Sequence, residues 1–416
     1  MQITYFDQDF VTKTAIDRGT KQLLPYASDI ASVGQQLDVS RHEYALFHAG
    51  TAEIQAVTEQ VARLATKTKH VLVIGIGGSS LGLEAVYQAV PAKRALTVLD
   101  TTTAPNITTA LEALAPYKKV EQIAVCIISK SGGTTETMVN ASVVLEALQK
   151  HFGPALADRV FCVGDASTPF FEHAKRKKYH TFAMPKSVGG RYSVATEVGI
   201  VPLTLLGYDT DTFIAGVLDA NEVSFIEVVA ESAVRLSLYI KKGFRHYNFF
   251  AFEPRLAKLG AWYRQLQAES LGKDTDRAGK SFRQGMVPTI STAVELHSIG
   301  QLYLSGFAGV YTDFVTFDDD TVDFSIRKQG LAATWAGFTA QEIATAIYGG
   351  VIQAYQAKQL PYRTTVFDED VLYSLGMFMA ARMRETMYVA DLLNLDAFDQ
   401  PHVELYKQKT KTILGL

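Results

Sequence analysis

Four hydroxyls crowd one short loop. The segment IISKSGGTTET sets Ser129, Ser131, Thr134 and Thr135 around the pair Gly132–Gly133, between an apolar run and a helical pattern that starts near Thr134. Phosphate oxygens want several short donors in a concave cluster, and hydroxyls plus the free N–H groups of a helix start supply them without a metal. A helix cap needs only one such residue, so four beside a Gly pair exceed what folding requires. A second loop, VLVIGIGGSSLG, leaves an apolar run through Gly75, Gly77 and Gly78, with Ser79 and Ser80 ahead of another helical pattern. Glycines there let the backbone approach a ligand closely. The spacing falls short of a dinucleotide fingerprint because Ser80 holds the third glycine position, although Asp100 ends the next apolar run about where a ribose contact would come. AGKS at 278–281 resembles the tail of a P-loop, but Asp274 stands where the opening glycine belongs and no apolar strand precedes it.

The elements that must carry these loops alternate. From residue 70 the chain reads HVLVIGIGG, a helix from Leu81, ALTVLD, a helix near Ile107–Leu114, QIAVCIISKS, a helix from Thr134, RVFCVGD, a helix near Pro169–Lys178, and HTFAMP. Short β-branched runs separated by longer helical patterns predict an α/β fold with mainly parallel sheets. A break at 207–211 starts a second series. It has a long amphipathic helix through Tyr239, strand HYNFFAF, a helix from Arg255 to Leu271, strand MVPTIST, a helix from Glu295, and strand VYTDFVTF. From Ala340 the pattern is mostly helical. The expectation is two three-layer α/β/α domains: 1–205 with an N-terminal helical extension, and 206–416 with a C-terminal helical arm. Ligands of open parallel sheets bind beyond the carboxyl ends of the strands, which is where both loops fall.

Composition narrows the partners. The 416 residues are 48% hydrophobic, with 40 basic against 43 acidic residues and a formal charge of −3. No basic stripe points to nucleic acid or an anionic membrane. No apolar run approaches the roughly 18 residues of a membrane span. MQITYFDQDF lacks the basic start and apolar core of a signal peptide, so a cytoplasmic protein is expected. Cys126 and Cys162 sit inside apolar runs and read as buried free thiols. No His/Cys/Asp cluster has metal-ligand spacing, and neither metal nor cofactor is expected.

GIGGSSLG followed by SKSGGTTE resembles the sugar isomerase (SIS) domains of the phosphoglucose isomerase family. GGRYSVAT at 189–196, QLQAESLGKD at 265–274, ELHSIGQLYLSG at 295–306 and FDQPHVELYK at 398–407 are similar to further segments of that family, in family order. Three departures stand out: His402 where the family usually has Gly, Gly133 where compact bacterial members have Thr, and a longer stretch between Glu269 and His297.

The resemblance implies aldose–ketose isomerisation between glucose 6-phosphate and fructose 6-phosphate, through ring opening and a cis-enediolate. It implies Glu269 as the base that moves a proton between C2 and C1, a task for a carboxylate whose pKa a dry pocket raises. His297 matches the ring-opening imidazole, which gives and takes protons near neutral pH. In the family a neighbouring subunit contributes it, which implies a homodimer. Lys407 matches a lysine that assists at the ring oxygen, and Arg191 a fixed cation for the enediolate charge. Ser129, Ser131 and Thr134 match the phosphate site, Gly78 and Ser79 the sugar side, and Gln265 and Gln400 substrate-contacting glutamines. Without that context each of these is as readily a surface or structural side chain. A binding module of the same fold would keep the hydroxyl loop without needing Glu269, His297 and Lys407 together. A nicotinamide-dependent dehydrogenase is opposed by Ser80 and the hydroxyl loop. A dual glucose/mannose phosphate isomerase stays open.

Overall fold

The computed structural model describes residues 1–7, 10–317 and 324–415. The chain opens with strand β1 (Gln2–Phe6), helix α1 (Lys13–Gln36) and helix α2 (Ala52–Leu64). An alternating series follows: β2 (His70–Ile74), α3 (Leu81–Ala89), β3 (Ala95–Leu99), α4 (Ala104–Leu114), β4 (Ile123–Ile128), α5 (Thr135–Phe152), β5 (Val160–Gly164), α6 (Pro169–Arg176) and β6 (His180–Ala183). Three helices come next, α7 (Glu197–Leu206), α8 (Thr210–Asp219) and α9 (Val223–Lys241). The second series is β7 (His246–Ala251), α10 (Ala257–Leu271), β8 (Val287–Thr292), β9 (Val310–Phe317), α11 (Ala340–Ala357), β10 (Tyr362–Phe367), α12 (Val371–Leu392) and α13 (Val403–Ile413).

The strands form two five-stranded sheets. The first has the order β3-β2-β4-β5-β6, with every pair parallel. The second has the order β1-β10-β9-β7-β8, parallel except for β1, which runs antiparallel along β10. The expected α/β architecture with mainly parallel sheets is therefore present. Two of its strands were not read from the sequence: β1, and β10 inside the stretch expected to be mostly helical. The expected helix from Glu295 is instead a 3-10 turn at Ala293–His297 and a π turn at Leu302–Gly306. A capping box between Thr292 and Glu295 starts the first turn, but Ser298 leaves the helical region and the glycines at 300 and 306 do not sustain a helix.

In the first sheet the chain runs from β2 to β3 on one side and then crosses to β4 on the other. The crevice between the carboxyl ends of β2 and β4 is thus the switch point where open sheets bind ligands. Residues of successive parity on these strands face opposite ways. Val71, Val73 and Cys126 join a core that continues through α7, α9, α10 and α12 into Tyr247 and Phe249 of the second sheet. Leu72, Ile74, Ile127 and Cys162 pack a smaller core on the other face. Both cysteines are free and buried, as the sequence pattern indicated. Helices α7 and α12 are buried on nearly every side, which is how an interior helix reads. Among the described residues, no helix is long and apolar enough to cross a membrane.

Beneath the second sheet four charges are sealed from water. Asp313 of β9, Arg363 of β10, and Arg382 and Glu385 of α12 are each at most 2% exposed. Arg363 reaches Asp313 and Glu385 at 2.6 Å each, and Arg382 reaches the same two carboxylates at 3.3 and 3.0 Å. Tyr247, Ser232 and Thr365 supply further hydrogen bonds. Burial works to raise the Asp313 and Glu385 carboxyls, but the two guanidinium groups outweigh it and hold both below the usual range. Their contribution is therefore present above the ordinary carboxylate pKa and is lost as pH falls through the depressed values. Removing one member leaves an uncompensated buried charge, which costs about 3–5 kcal/mol. Arg363→Leu is expected to lower the urea midpoint by that much stability at neutral pH, with a smaller deficit in acid.

Candidate active site

The first sheet delivers two loops to its crevice. After β4, the Ser129 N–H donates to the Val163 carbonyl and the hydroxyl of Ser129 lies 3.4 Å from that of Thr134. Thr134 occupies the N-cap position of α5 but makes no side-chain cap bond. Its hydroxyl is therefore not consumed by capping, and it stands at the positive end of an 18-residue helix. Ser131 accepts from the Gly133 N–H at 3.2 Å. Lys130 turns under the loop and donates to the Val188 carbonyl at 2.8 Å, tying it to the Gly189–Gly190–Arg191 turn. Burial pulls the Lys130 ammonium pKa below its usual value.

After β2 the glycine loop lies beside this one, since a Cβ on Gly75 would stand 3.3 Å from the Ile128 carbonyl. Gly77 has φ +61° and faces the amide of Gln265, 3.0 Å from where its Cβ would be. Gly78 sits against the backbone of Gly190: an added Cβ would come within 2.3 Å of the Gly190 carbonyl carbon and 2.8 Å of the Arg191 nitrogen. The absence of a side chain at 78 is what lets the arginine turn approach. Ser79 is partly buried in the same loop.

Arg191 then reaches into the interior, 3% exposed, and converges three stretches of chain. Its Nε donates to Ser270 at 2.8 Å. Its Nη1 donates to Glu269 at 3.1 Å and to Gln400 at 2.6 Å. Its Nη2 donates to the carbonyls of Ala397 at 2.7 Å and Asp399 at 3.2 Å. Glu269 and Gln265 are one helical turn apart on α10, so they share a face. The Gln265 amide donates to the other Glu269 oxygen at 3.1 Å. The Glu269 carboxylate is 33% exposed against 2% for its arginine partner. It is a carboxylate fixed by two donors with one side open, which is what abstracting a proton from a bound molecule requires.

The structure thus brings together Gly78, Arg191, Gln265, Glu269 and Gln400, with Ser129 and Thr134 in the neighbouring loop. Two residues stand apart. His297 ends the 3-10 turn after β8, exposed, and no hydrogen bond or ion pair joins it to the Arg191 cluster. Lys407 is exposed on α13 and paired with Glu404 at 2.6 Å. That hydrogen bond holds its ammonium pKa above the usual value, and Glu136 on the first turn of α5 adds to the effect. His402 pairs with Asp274 at 3.2 Å on the surface. Ser270, Lys130 and the carbonyls at 397 and 399 were not foreseen. They are recognised only through the arginine turn they hold. Among the described residues, no group of three His, Cys, Asp or Glu side chains is arranged to hold a metal ion.

One parallel sheet and one mainly parallel sheet, with a hydroxyl loop at a switch point and a carboxylate clasped by an arginine, fit a phosphosugar isomerase of the SIS type. The chain belongs to the phosphoglucose isomerase family, whose model matches residues 51–415. It is 29% identical over 385 residues to the glucose-6-phosphate isomerase of Clostridium tetani, covering 87% of this chain and 84% of that protein. The glucose-6-phosphate isomerase of Heliobacterium modesticaldum is also 29% identical, over 386 residues, with 88% and 84% covered. A hypothetical protein of Thermus thermophilus has a crystal structure that superposes with a TM-score of 0.87 at 25% identity, covering 99% of this chain and 100% of its own. The fold also matches that of a glucose-6-phosphate isomerase from Chlamydia trachomatis, with a TM-score of 0.80 at 20% identity over 99% of this chain and 88% of that one.

The contact at Gly78 gives a sharp test. Gly78→Ala must push the 190–191 turn away, and misplacing a catalytic group by about 1 Å costs on the order of a hundredfold. Isomerase activity of the folded variant is expected to fall by about that factor, and the thermal midpoint to fall as well because the atoms that must give way are backbone, measured by coupled assay and thermal denaturation.

Proposed function

We propose that the protein interconverts D-glucose 6-phosphate and D-fructose 6-phosphate, as in glycolysis and gluconeogenesis, with Glu269 as the base. The observation that carries this reading is the Glu269 carboxylate, held by Arg191 and Gln265 and open on one side, one loop away from the Ser129–Thr134 hydroxyls. The phosphate docks on Ser129, Ser131 and Thr134 at the start of α5, with Gly78 and Ser79 along the sugar. Once the ring is open, Glu269 removes the proton from C2 and returns it to C1, and the reverse reaction retraces the path. The guanidinium of Arg191, already in place, meets the negative charge on the enediolate oxygen without reorganising. Gln265 and Gln400 fix the sugar hydroxyls. Lys407, which matches the family's lysine, serves the ring oxygen from α13. No step calls on a metal.

His297 completes the site from a second copy of the chain. The segment that bears it packs beside α11, with Leu296, Tyr303 and Leu304 lining one apolar cavity with Ile347 and Val351, and Val294 is 69% exposed, Leu302 46% and Ile347 48%. Helix α11 buries only Tyr355 although its composition is largely apolar. Exposed apolar surface gathered in one region marks an interface, and a twofold pairing over it exchanges His297 between the two sites.

Two experiments test these roles. Glu269→Gln is expected to abolish conversion of fructose 6-phosphate to glucose 6-phosphate in a coupled assay while sugar-phosphate binding by calorimetry persists, and wild-type activity is expected to survive EDTA. Loss of binding together with activity would make Glu269 a structural residue. Mixing and refolding inactive Glu269→Gln with inactive His297→Ala chains is expected to recover about a quarter of wild-type activity, because a mixed dimer with exchanged histidines regains one intact site. No recovery would place His297 in its own chain's site or outside it.

A further inference from the structure

The segment 396–401 carries Gln400 and two of the carbonyls that receive Arg191, yet it belongs to no helix or strand. What holds it in register is a set of side chains. Phe398 stacks on His42 with ring centroids 4.5 Å apart and lies 5.4 Å from the ring of Tyr192. Arg191 takes the carbonyls from inside. From the other side Lys273, only 10% exposed, donates to the Asp399 carbonyl at 2.5 Å and to its carboxylate at 2.7 Å. The Asp399 carbonyl therefore accepts from two cations at once, one from each side.

We propose that Lys273 is a positioning residue for the isomerase site: it fastens the 396–401 segment to the end of α10, four residues beyond Glu269. The inference rests on the isomerase reading above. Lys273 directly follows Gly272, the C-cap of α10, so its backbone moves with the last helical turn, which holds Glu269 and Ser270, one turn beyond Gln265. Arg191 and Lys273 together make α10 and the segment one unit at two points of attachment. With the outer attachment gone, the segment keeps the inner bonds of Arg191, the Tyr192 hydroxyl on Ala397 and the ring contacts of Phe398, but no side chain of the α10 end still holds Asp399 from the outer side. Any drift of Ala397, Asp399 or Gln400 then moves the guanidinium that faces Glu269. Lys273 touches neither Glu269 nor Arg191, so its effect passes through Asp399.

The test compares wild type, Lys273→Met, Lys273→Arg and Asp399→Asn. Each is assayed for isomerase kinetics, thermal midpoint and hydrogen exchange of the backbone amides at 397–400. Lys273→Met is expected to lower kcat at least tenfold with KM within threefold, and to speed exchange at 397–400 at least tenfold while the thermal midpoint holds. Lys273→Arg is expected to restore kcat to within threefold. Asp399→Asn, which keeps the carbonyl but weakens the carboxylate contact, is expected to give the same changes in smaller measure and decides the matter should Lys273→Met not fold. Kinetics and exchange both within threefold of wild type, or a fall in kcat that only follows the thermal midpoint, would overturn the proposal. A wild-type chain without isomerase activity would instead sink the isomerase reading, and the exchange data would still decide whether Lys273 fastens the segment.

Discussion

A guanidinium sealed from water has to find an acceptor for nearly every N–H it carries, and Arg191 imposes that demand on the whole site. Its acceptors come from two places far apart in the sequence, the last turn of α10 and the irregular segment at 396–401, while its own backbone lies against Gly78 in a third. Apolar contacts and Lys273 also tie these pieces together, but among the described residues no other side chain bonds to both α10 and two carbonyls of the segment from inside. The proposed base is thus positioned less by its own helix than by the charge that faces it, and the loop bearing Gln400 is shaped around the same group.

The buried quartet of Asp313, Arg363, Arg382 and Glu385 plays a matching part deeper in the second half. It ties β9 and β10 to α12, and α12 runs directly into the segment that Arg191 and Lys273 receive. Two sets of paired charges therefore bracket one stretch of chain, the first fixing where it leaves the core and the second where it meets the site. Apolar packing alone would leave α12 free to slide along its axis by a fraction of a turn. Hydrogen-bonded charges with fixed partners do not allow that.

Legibility from the sequence followed local pattern. The parallel strands with apolar runs ending in Gly, Ser or Asp were readable, as were the two loops of the first sheet, because their chemistry is contiguous. Strand β1 was missed because QITYF is short and polar-flanked, and it is a strand only through pairing with β10, some 360 residues on. β10 itself, YRTTVF, carries an arginine at its second position. Nothing local announces that Asp313 and Glu385 neutralise it. Ser270 and the carbonyls of Ala397 and Asp399 were invisible for a related reason, since backbone acceptors leave no mark in composition. Lys273 stands inside the segment ESLGKD, but only the folded chain shows that it reaches Asp399.

A carboxylate matched too closely by an arginine would be a poor base, since an adjacent cation favours the charged form and lowers its proton affinity. Glu269 shares its arginine with four other acceptors. Arg191 spreads its five N–H groups over five acceptors, so the carboxylate receives one bond of 3.1 Å and not the parallel pair of a bidentate bridge. The other oxygen takes its bond from the neutral amide of Gln265, which orients without adding charge. Partial exposure keeps the remaining side of the carboxylate for a ligand. The same guanidinium can then serve the charge that forms on the substrate as the proton leaves, because most of its bonds are to groups that do not change during the reaction. In the proposed mechanism one arginine thus both holds the carboxylate of Glu269 and faces the charge that forms on the substrate.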